Sequence, residues 1–421
     1  QSNPIALAAS NSHSLNMNKS WNMTMSAYVN LQPIKGLNIK SQFGYRKGDG
    51  AYRNMQIKNN IGANPITKDQ VSQNMNVWSN ISWNNTASYA FEIDNHSIDV
   101  VLGQAIEKTT YGSNINATAS NLLFGESWDH AWLSNTEKLD ISDVSVSGGP
   151  SADWSLASFF GRINYNYDNR YLFEANLRYD GSSRFAKKNR WGLFPSFSAA
   201  WRLSEEAFMD STRDVITEAK IRASYGTLGN QNIGSNYPTA QMLTISSIAA
   251  AGKIYPIVAQ TSLANKDITW ETTYMADIGI DMTLWEKFTI TADYYYKKTD
   301  GILMKLDIPS TIGLNAPYQN AGVVTNNGWE VALGYNNRWG DWSFGVQANL
   351  SDVINEIVDM KGTYGTSGVI RNQEGSSINS LYLLNCLGIV QTQEQADWVN
   401  ANCPQYGQVT HPGDLIYEDF N

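Results

Sequence analysis

Cysteine is nearly absent from this chain of 421 residues, occurring only as Cys386 and Cys403. Two thiols are too few for a disulfide framework or a structural zinc site. They leave two readings open: one bridge, worth roughly 3 kcal/mol in an oxidising compartment, or two separate thiols. Charge is scarce as well, at 16% of residues against roughly 25% in ordinary soluble domains. No apolar run reaches the roughly 18 residues of a membrane helix. The histidines His13, His96, His130 and His411 are scattered without metal-ligand spacing, and His96 reads as a solvated turn residue. A net charge of −9 argues against a nucleic-acid partner, which calls for a basic surface. No cleavable leader is visible in Gln1-Ser2-Asn3-Pro4, so an exported protein would have a mature or truncated start here.

Aromatic residues, by contrast, make up 12% of the chain, with 22 Tyr and 14 Trp. That excludes intrinsic disorder. Mean hydropathy is −0.36 despite the scarce charge, so polarity comes from Asn, Ser, Thr, Gly and Tyr. The length would fit two or three soluble domains of roughly 150 residues; the composition points instead to one large β protein.

The strongest pattern is a period of two, the mark of strands with unlike faces. Tyr171, Phe173, Ala175, Leu177 and Tyr179 alternate with Glu174, Asn176, Arg178 and Asp180. Trp270, Tyr274, Ala276, Ile278, Ile280, Met282 and Leu284 share a second such face, opposite Asp277 and Asp281. About twelve strands follow from this pattern, near 19–32, 36–46, 74–92, 97–108, 154–168, 170–180, 190–203, 219–229, 270–285, 287–298, 322–338 and 341–355. Most have the length of roughly 9–11 residues that a tilted strand needs to cross a bilayer. Aromatics such as Tyr165, Tyr171, Trp201, Trp285 and Trp339 crowd their ends, as in the girdles of outer-membrane barrels.

Connections alternate between short ones and long ones near 47–73, 109–153, 230–269, 299–321 and 356–421. Short periplasmic turns and long extracellular loops have this arrangement. Two connections depart from it: 181–189 is modest, and 204–218 is a longer inner one that resembles a capped helical turn at Ser204–Met209. The expected fold is all-β, part of a large antiparallel transmembrane β-barrel, with residues 1–421 as a partial barrel domain. Nothing in the chain looks like a globular plug, nor like an aromatic-terminated last strand.

Several motifs are more specific. Phe160-Gly161-Arg162-Ile163-Asn164-Tyr165 and Asn176-Leu177-Arg178-Tyr179-Asp180-Gly181-Ser182-Ser183-Arg184-Phe185 are followed by Arg190-Trp191-Gly192 and Phe194-Pro195-Ser196. Then come Tyr225-Gly226-Thr227-Leu228-Gly229-Asn230-Gln231, Ile268-Thr269-Trp270-Glu271, Asn320-Ala321-Gly322, Gly328-Trp329-Glu330, Gly388-Ile389-Val390 and Pro412-Gly413-Asp414. In this order they resemble the SusC/RagA family of TonB-dependent outer-membrane transporters. The resemblance covers 154–421 closely and the earlier part loosely. It implies a barrel of about 22 strands with an N-terminal plug, so that the plug and about ten strands lie outside this sequence. It also implies a SusD-like lipoprotein lid, oligosaccharide or oligopeptide ligands, and drive by the TonB complex.

No catalytic constellation stands out: G-x-S-x-G, P-loop and H-E-x-x-H are all missing, and the expectation is a non-enzyme. Ligand capture would fall to loop aromatics in 109–153, namely Tyr111, Phe124, Trp128 and Trp132 beside His130. The other reading is that these rings pack the loop or touch the lid. Asn176, Arg178 and Asp180 line the lumen or touch plug and ligand; Asp277 and Asp281 read as solvated lining. Asp419-Phe420-Asn421 matches the first positions of a D-x-[DN] calcium loop, which makes Ca2+ at Asp419 and Asn421 the sole cofactor candidate. The leading function is energised import across the outer membrane of a Gram-negative bacterium. A passive porin or surface adhesin is the first alternative, and a soluble β-rich carbohydrate-binding protein or hydrolase the second.

Overall fold

A computed structural model describes residues 14–58, 66–110, 112–125, 127–137, 143–150, 153–250, 253–306, 308–403 and 409–418. The first hairpins are β1 (Ser14–Ile34), β2 (Leu37–Gln56), β3 (Gln70–Ile93) and β4 (His96–Thr110). Two short strands, β5 (Ser113–Ser120) and β6 (Val144–Pro150), follow. Next come β7 (Trp154–Tyr167), β8 (Tyr171–Ser182), β9 (Trp191–Arg202) and β10 (Ile216–Asn230). The hairpin of β11 (Leu243–Ala250) and β12 (Lys253–Gln260) stands by itself; β13 (Glu271–Leu284), β14 (Phe288–Lys305), β15 (Tyr318–Trp339) and β16 (Trp342–Asp359) complete the wall.

The twelve expected strands are all present, each hydrogen-bonded to its neighbours in the order β1-β2-β3-β4-β7-β8-β9-β10-β13-β14-β15-β16. Lengths run from 12 residues in β8 to 24 in β3, beyond what a bilayer requires. The surplus lies at the long-loop end, where much of 47–73 and 299–321 is strand rather than loop. Among the described residues β1 pairs only with β2, and β16 only with β15. The sheet is therefore an open arc, and a lipid-spanning sheet must close; this is part of a larger transmembrane barrel.

The alternation has the expected sense. Tyr171, Phe173, Leu177 and Tyr179 are 44%, 45%, 50% and 42% exposed, because their solvent is lipid. Turns at the other end are tight. Asp168 and Asn169 have φ of 51° and 55°, the type I′ geometry that matches strand twist. Trp285 and Glu286 adopt the same left-handed pair, an uncommon conformation for such side chains.

Three local expectations change. Trp270 lies just before β13 and is 7% exposed, packed on Phe185 and Phe194, so the lipid face starts after it. The 203–215 connection holds two 3-10 stretches, Leu203–Glu205 and Ala207–Thr212, without side-chain caps; Ser204 caps nothing. The tail contains a helix, α1 (Gln393–Asn402), whose first turn is closed by Gln395 N donating to Thr392 Oγ1 at 3.2 Å. Cys386 is a free, exposed thiol, so no bridge joins it to Cys403.

Candidate functional site

The polar face of the wall carries the densest charge chemistry. Register places Arg222 of β10 opposite Gly279 of β13, and Gly279 opposite Asp293 of β14. A Cβ on Gly279 would lie 2.2 Å from Asp293 Oδ1 and 2.7 Å from Arg222 Cζ. The missing side chain is thus what lets Arg222 reach across a strand. Its Nη2 sits 2.6 Å from Asp293 Oδ1, its Nε 3.2 Å from Asp281 Oδ2 and its Nη1 3.4 Å from Asp277 Oδ1. Lys220 Nζ meets Asp281 at 2.9 Å. Asp277 and Asp281 are therefore bound lining rather than merely solvated. Period two predicted their face but gave no hint of Arg222 as the hub, since cross-strand register is not written in local sequence.

A second guanidinium is fixed on β8, six residues further along the wall than the level of Arg222. Arg178 Nε donates to Asp180 Oδ2 at 2.7 Å and Nη2 to Ser158 Oγ at 2.8 Å, while the Phe160 ring lies 5.7 Å away. Asp180 and Ser158 are buried, yet 46% of the Arg178 side chain remains exposed. Asn176 Nδ2 donates to Glu174 Oε1 at 2.6 Å. A cavity of about 400 Å³ opens among Asp99, Asn164, Glu174, Ser198, Arg222 and Asp277. A neighbour of about 590 Å³ lies around Arg202, Lys220 and Asp281.

The aromatic loop behaves differently. Trp128 and Trp132 sandwich the Arg53 guanidinium, with centroids 4.0 and 3.9 Å from its Cζ. Arg53 Nη1 donates to Ala131 O at 3.3 Å, and the residue is 6% exposed. Met55, Ile57, Val71 and Ala131 form a small core against Trp128 and Leu133. Arg53 and Met55 continue the odd-numbered face of β2 that carries Ile39 and Phe43, through an unbroken register with β3. The loop hence packs on the outer side of the wall, above the lipid. Phe124 stays 55% exposed, its ring 5.0 Å from His130. Tyr111, Asp419 and Asn421 lie outside the described residues. Among the described residues no group of three His, Cys, Asp or Glu side chains could hold a metal.

The sequence motifs converge in space. Phe185, Phe194, Ile233, Ile268 and Trp270 form one buried cluster at the long-loop end. Trp270 Nε1 donates to Arg190 O at 3.0 Å. Arg184 Nε and Nη1 donate to Asn236 Oδ1 and Gln231 O, both at 3.0 Å. Asn320 Nδ2 donates to Thr269 O and Gly301 O at 2.9 Å. These motifs tie loop bases together and carry no reactive group.

At the short-turn end, Glu206 gathers the aromatic girdle. Tyr171 Oη donates to its Oε1 at 2.6 Å and Trp201 Nε1 at 3.0 Å, with Arg170 Nη1 3.6 Å from Oε2. These donors, Tyr171 first, hold its carboxyl below the usual range. His96, expected in a solvated turn, is exposed at the start of β4 and bonds Tyr165 Oη through Nδ1 at 2.8 Å.

Fold and faces together define a transmembrane β-barrel wall with a charged lumen. The family profile described as "TonB dependent receptor-like, beta-barrel" matches residues 2–379; the chain belongs to this outer-membrane family, in its SusC/RagA-like branch. A TonB-dependent receptor of Formosa agariphila is 30% identical over 428 residues, covering 96% of this chain and 41% of that protein. TonB-dependent receptor SusC of Bacteroides thetaiotaomicron is 29% identical over 67% of this chain and 28% of its own length. The chain thus spans well under half of these relatives. A solved structure of the RagAB peptide transporter shares the fold, with a TM-score of 0.77 and 23% identity, over 90% of this chain and 41% of that one.

Proposed function

We propose that this wall belongs to an energised importer of the SusC type. It takes oligosaccharides or oligopeptides across the outer membrane of a Gram-negative bacterium, together with a SusD-like surface lipoprotein. The TonB complex supplies the force through the N-terminal part of the whole protein. The observation that carries the reading is a lumenal face on which Arg222 is pinned by Asp277, Asp281 and Asp293 beside open cavities, inside a barrel of this family. Fixed donors and acceptors suit ligands dense in hydroxyls or amides, because little order is lost on binding.

The ligand contacts expected at Tyr111, Phe124, Trp128 and Trp132 narrow under this reading. Trp128 and Trp132 already stack on Arg53. The proposal keeps Phe124 and Tyr111 as loop contacts and adds Arg178, whose guanidinium is held in place yet exposed. The test is uptake of oligosaccharide and oligopeptide pools by cells with and without the intact gene, before and after collapse of the proton-motive force. Loss of energised uptake on deletion, and co-purification of a surface lipoprotein, are the expected results. Uptake that survives collapse would favour a passive porin instead.

A further inference from the structure

The lumenal face of β1, β2 and β3 differs from the rest of the wall in its charge. Even-numbered residues of β2 point to the lumen, opposite the face of Ile39 and Phe43. The acids of these strands are Asp49, on the outward face, and Glu92, at the short-turn end. Their lumenal cations are Lys40, 5.0 Å from the Tyr28 ring, and Arg46, 5.8 Å from the Trp78 ring. Arg46 is exposed, and its guanidinium has no hydrogen-bond or ion-pair partner among the described residues. The next lumenal carboxylate, Glu107 of β4, already accepts from Asn80 Nδ2 at 2.9 Å. Arg178 and Arg222, by contrast, are both ion-paired.

Trp78 is held beside this free cation by a glycine. Gly48 is its direct partner across the β2–β3 pair. A Cβ there would lie 2.6 Å from Trp78 Nε1 and Cε2, and 2.5 Å from Asn22 Oδ1. The bare backbone thus lets the indole fold over β2. Counting about 11 residues up from Ile93 ends the lipid band near Trp83, so Trp78 stands in the outer mouth. Asparagines surround it on the same face: Asn22 on β1, and Asn74 and Asn76 on β3, paired with Asn116 and Asn114 of β5. These amides and the Trp78 N–H make no hydrogen bond among the described residues.

We propose that this corner of the mouth is a subsite for an acidic oligosaccharide, one that bears carboxylate or sulfate groups; it rests on the importer reading above. An indole offers a flat apolar surface to the C–H face of a sugar ring. Amides carry donors and an acceptor together, as dense hydroxyls require. A guanidinium without a carboxylate of its own meets an anionic substituent in paired, charge-assisted hydrogen bonds. A peptide fits less well, because its ammonium terminus finds no free lumenal acid here.

The test titrates the full-length protein, purified with its surface partner, against oligogalacturonate, carrageenan oligosaccharides, malto-oligosaccharides and tryptic casein peptides. Binding of an acidic series is expected, galacturonate assigning the carboxylate and carrageenan the sulfate. Arg46→Gln should weaken that ligand about tenfold and leave its carboxyl-reduced or desulfated form unchanged. Trp78→Ala should weaken both forms about tenfold. Binding confined to malto-oligosaccharides or peptides, or no binding, overturns the subsite. So does an equal loss on charged and neutral forms in Arg46→Gln protein that is folded by heat-dependent gel mobility. Energised uptake of neutral glycans or peptides alone would remove the subsite and keep the importer, whereas passive uptake would remove the importer whatever Arg46 binds.

Discussion

Arg53 and Arg222 are both held rigid, by opposite chemistry. Arg222 faces the lumen, where alternation supplies polar neighbours and register supplies three aspartates. Arg53 faces outward above the lipid, where the incoming loop supplies two indoles and a carbonyl. A cation can be held by carboxylates in a wet lumen or by ring faces in a dry clamp. Which one it gets follows from the side of the sheet it occupies. The first arrangement weakens as salt rises, while the second, being desolvated, is screened much less.

The largest effect should come from Arg53→Ala. Losing two desolvated cation–π contacts and the packing beneath them should cost the loop about 3 kcal/mol. Hydrogen exchange across 127–137 reads this directly, and unchanged protection would break the comparison. Arg222→Leu leaves three aspartates without their shared partner; with its partial exposure discounted, about 2 kcal/mol is expected in a denaturant titration of the detergent-solubilised barrel. Raised salt should shrink that difference while leaving the Arg53→Ala deficit in place. Equal salt responses would mean the two sites are not held differently after all.

Gly279→Ala tests the register argument without altering any charge. Its new methyl group would collide with the Arg222–Asp293 pair, and a loss of about 1 kcal/mol is expected; no change would show that the gap is not what admits Arg222. The smallest effect concerns Glu206. Its folded carboxyl titrates below the ordinary range, so its contribution is present above that range and is lost as pH falls through the lowered value. Glu206→Gln should lower stability slightly at neutral pH and converge with the parent as pH falls, so that its acid limb is flatter. An acid limb identical to the parent's would remove Glu206 from the girdle account.

Much of the wall was legible because a strand's two faces are written locally. Tyr171 to Tyr179 needed only their own sequence to be placed in lipid. Trp270 was misplaced because its ring turns into a cluster built by Phe185 and Phe194, residues far away along the chain. Asp277 and Asp281 were put on the correct face, but Arg222 was not seen as their partner. Trp128 and Trp132 stand in the sequence either as ligand rings or as rings that pack the loop, and nothing near them names Arg53, the cation they stack on.

By itself, then, the sequence determined the twelve strands of the wall, their order, their two faces and the family, though not the short strands β5, β6, β11 and β12 inside the long connections. All four follow from period-two patterning, turn residues and motif order, which act over a few residues. The tertiary structure decided which charges meet and which rings are already occupied. Those depend on register across strands and on how a loop folds back. Both are set by closing hydrogen bonds and excluding solvent between residues distant in the chain.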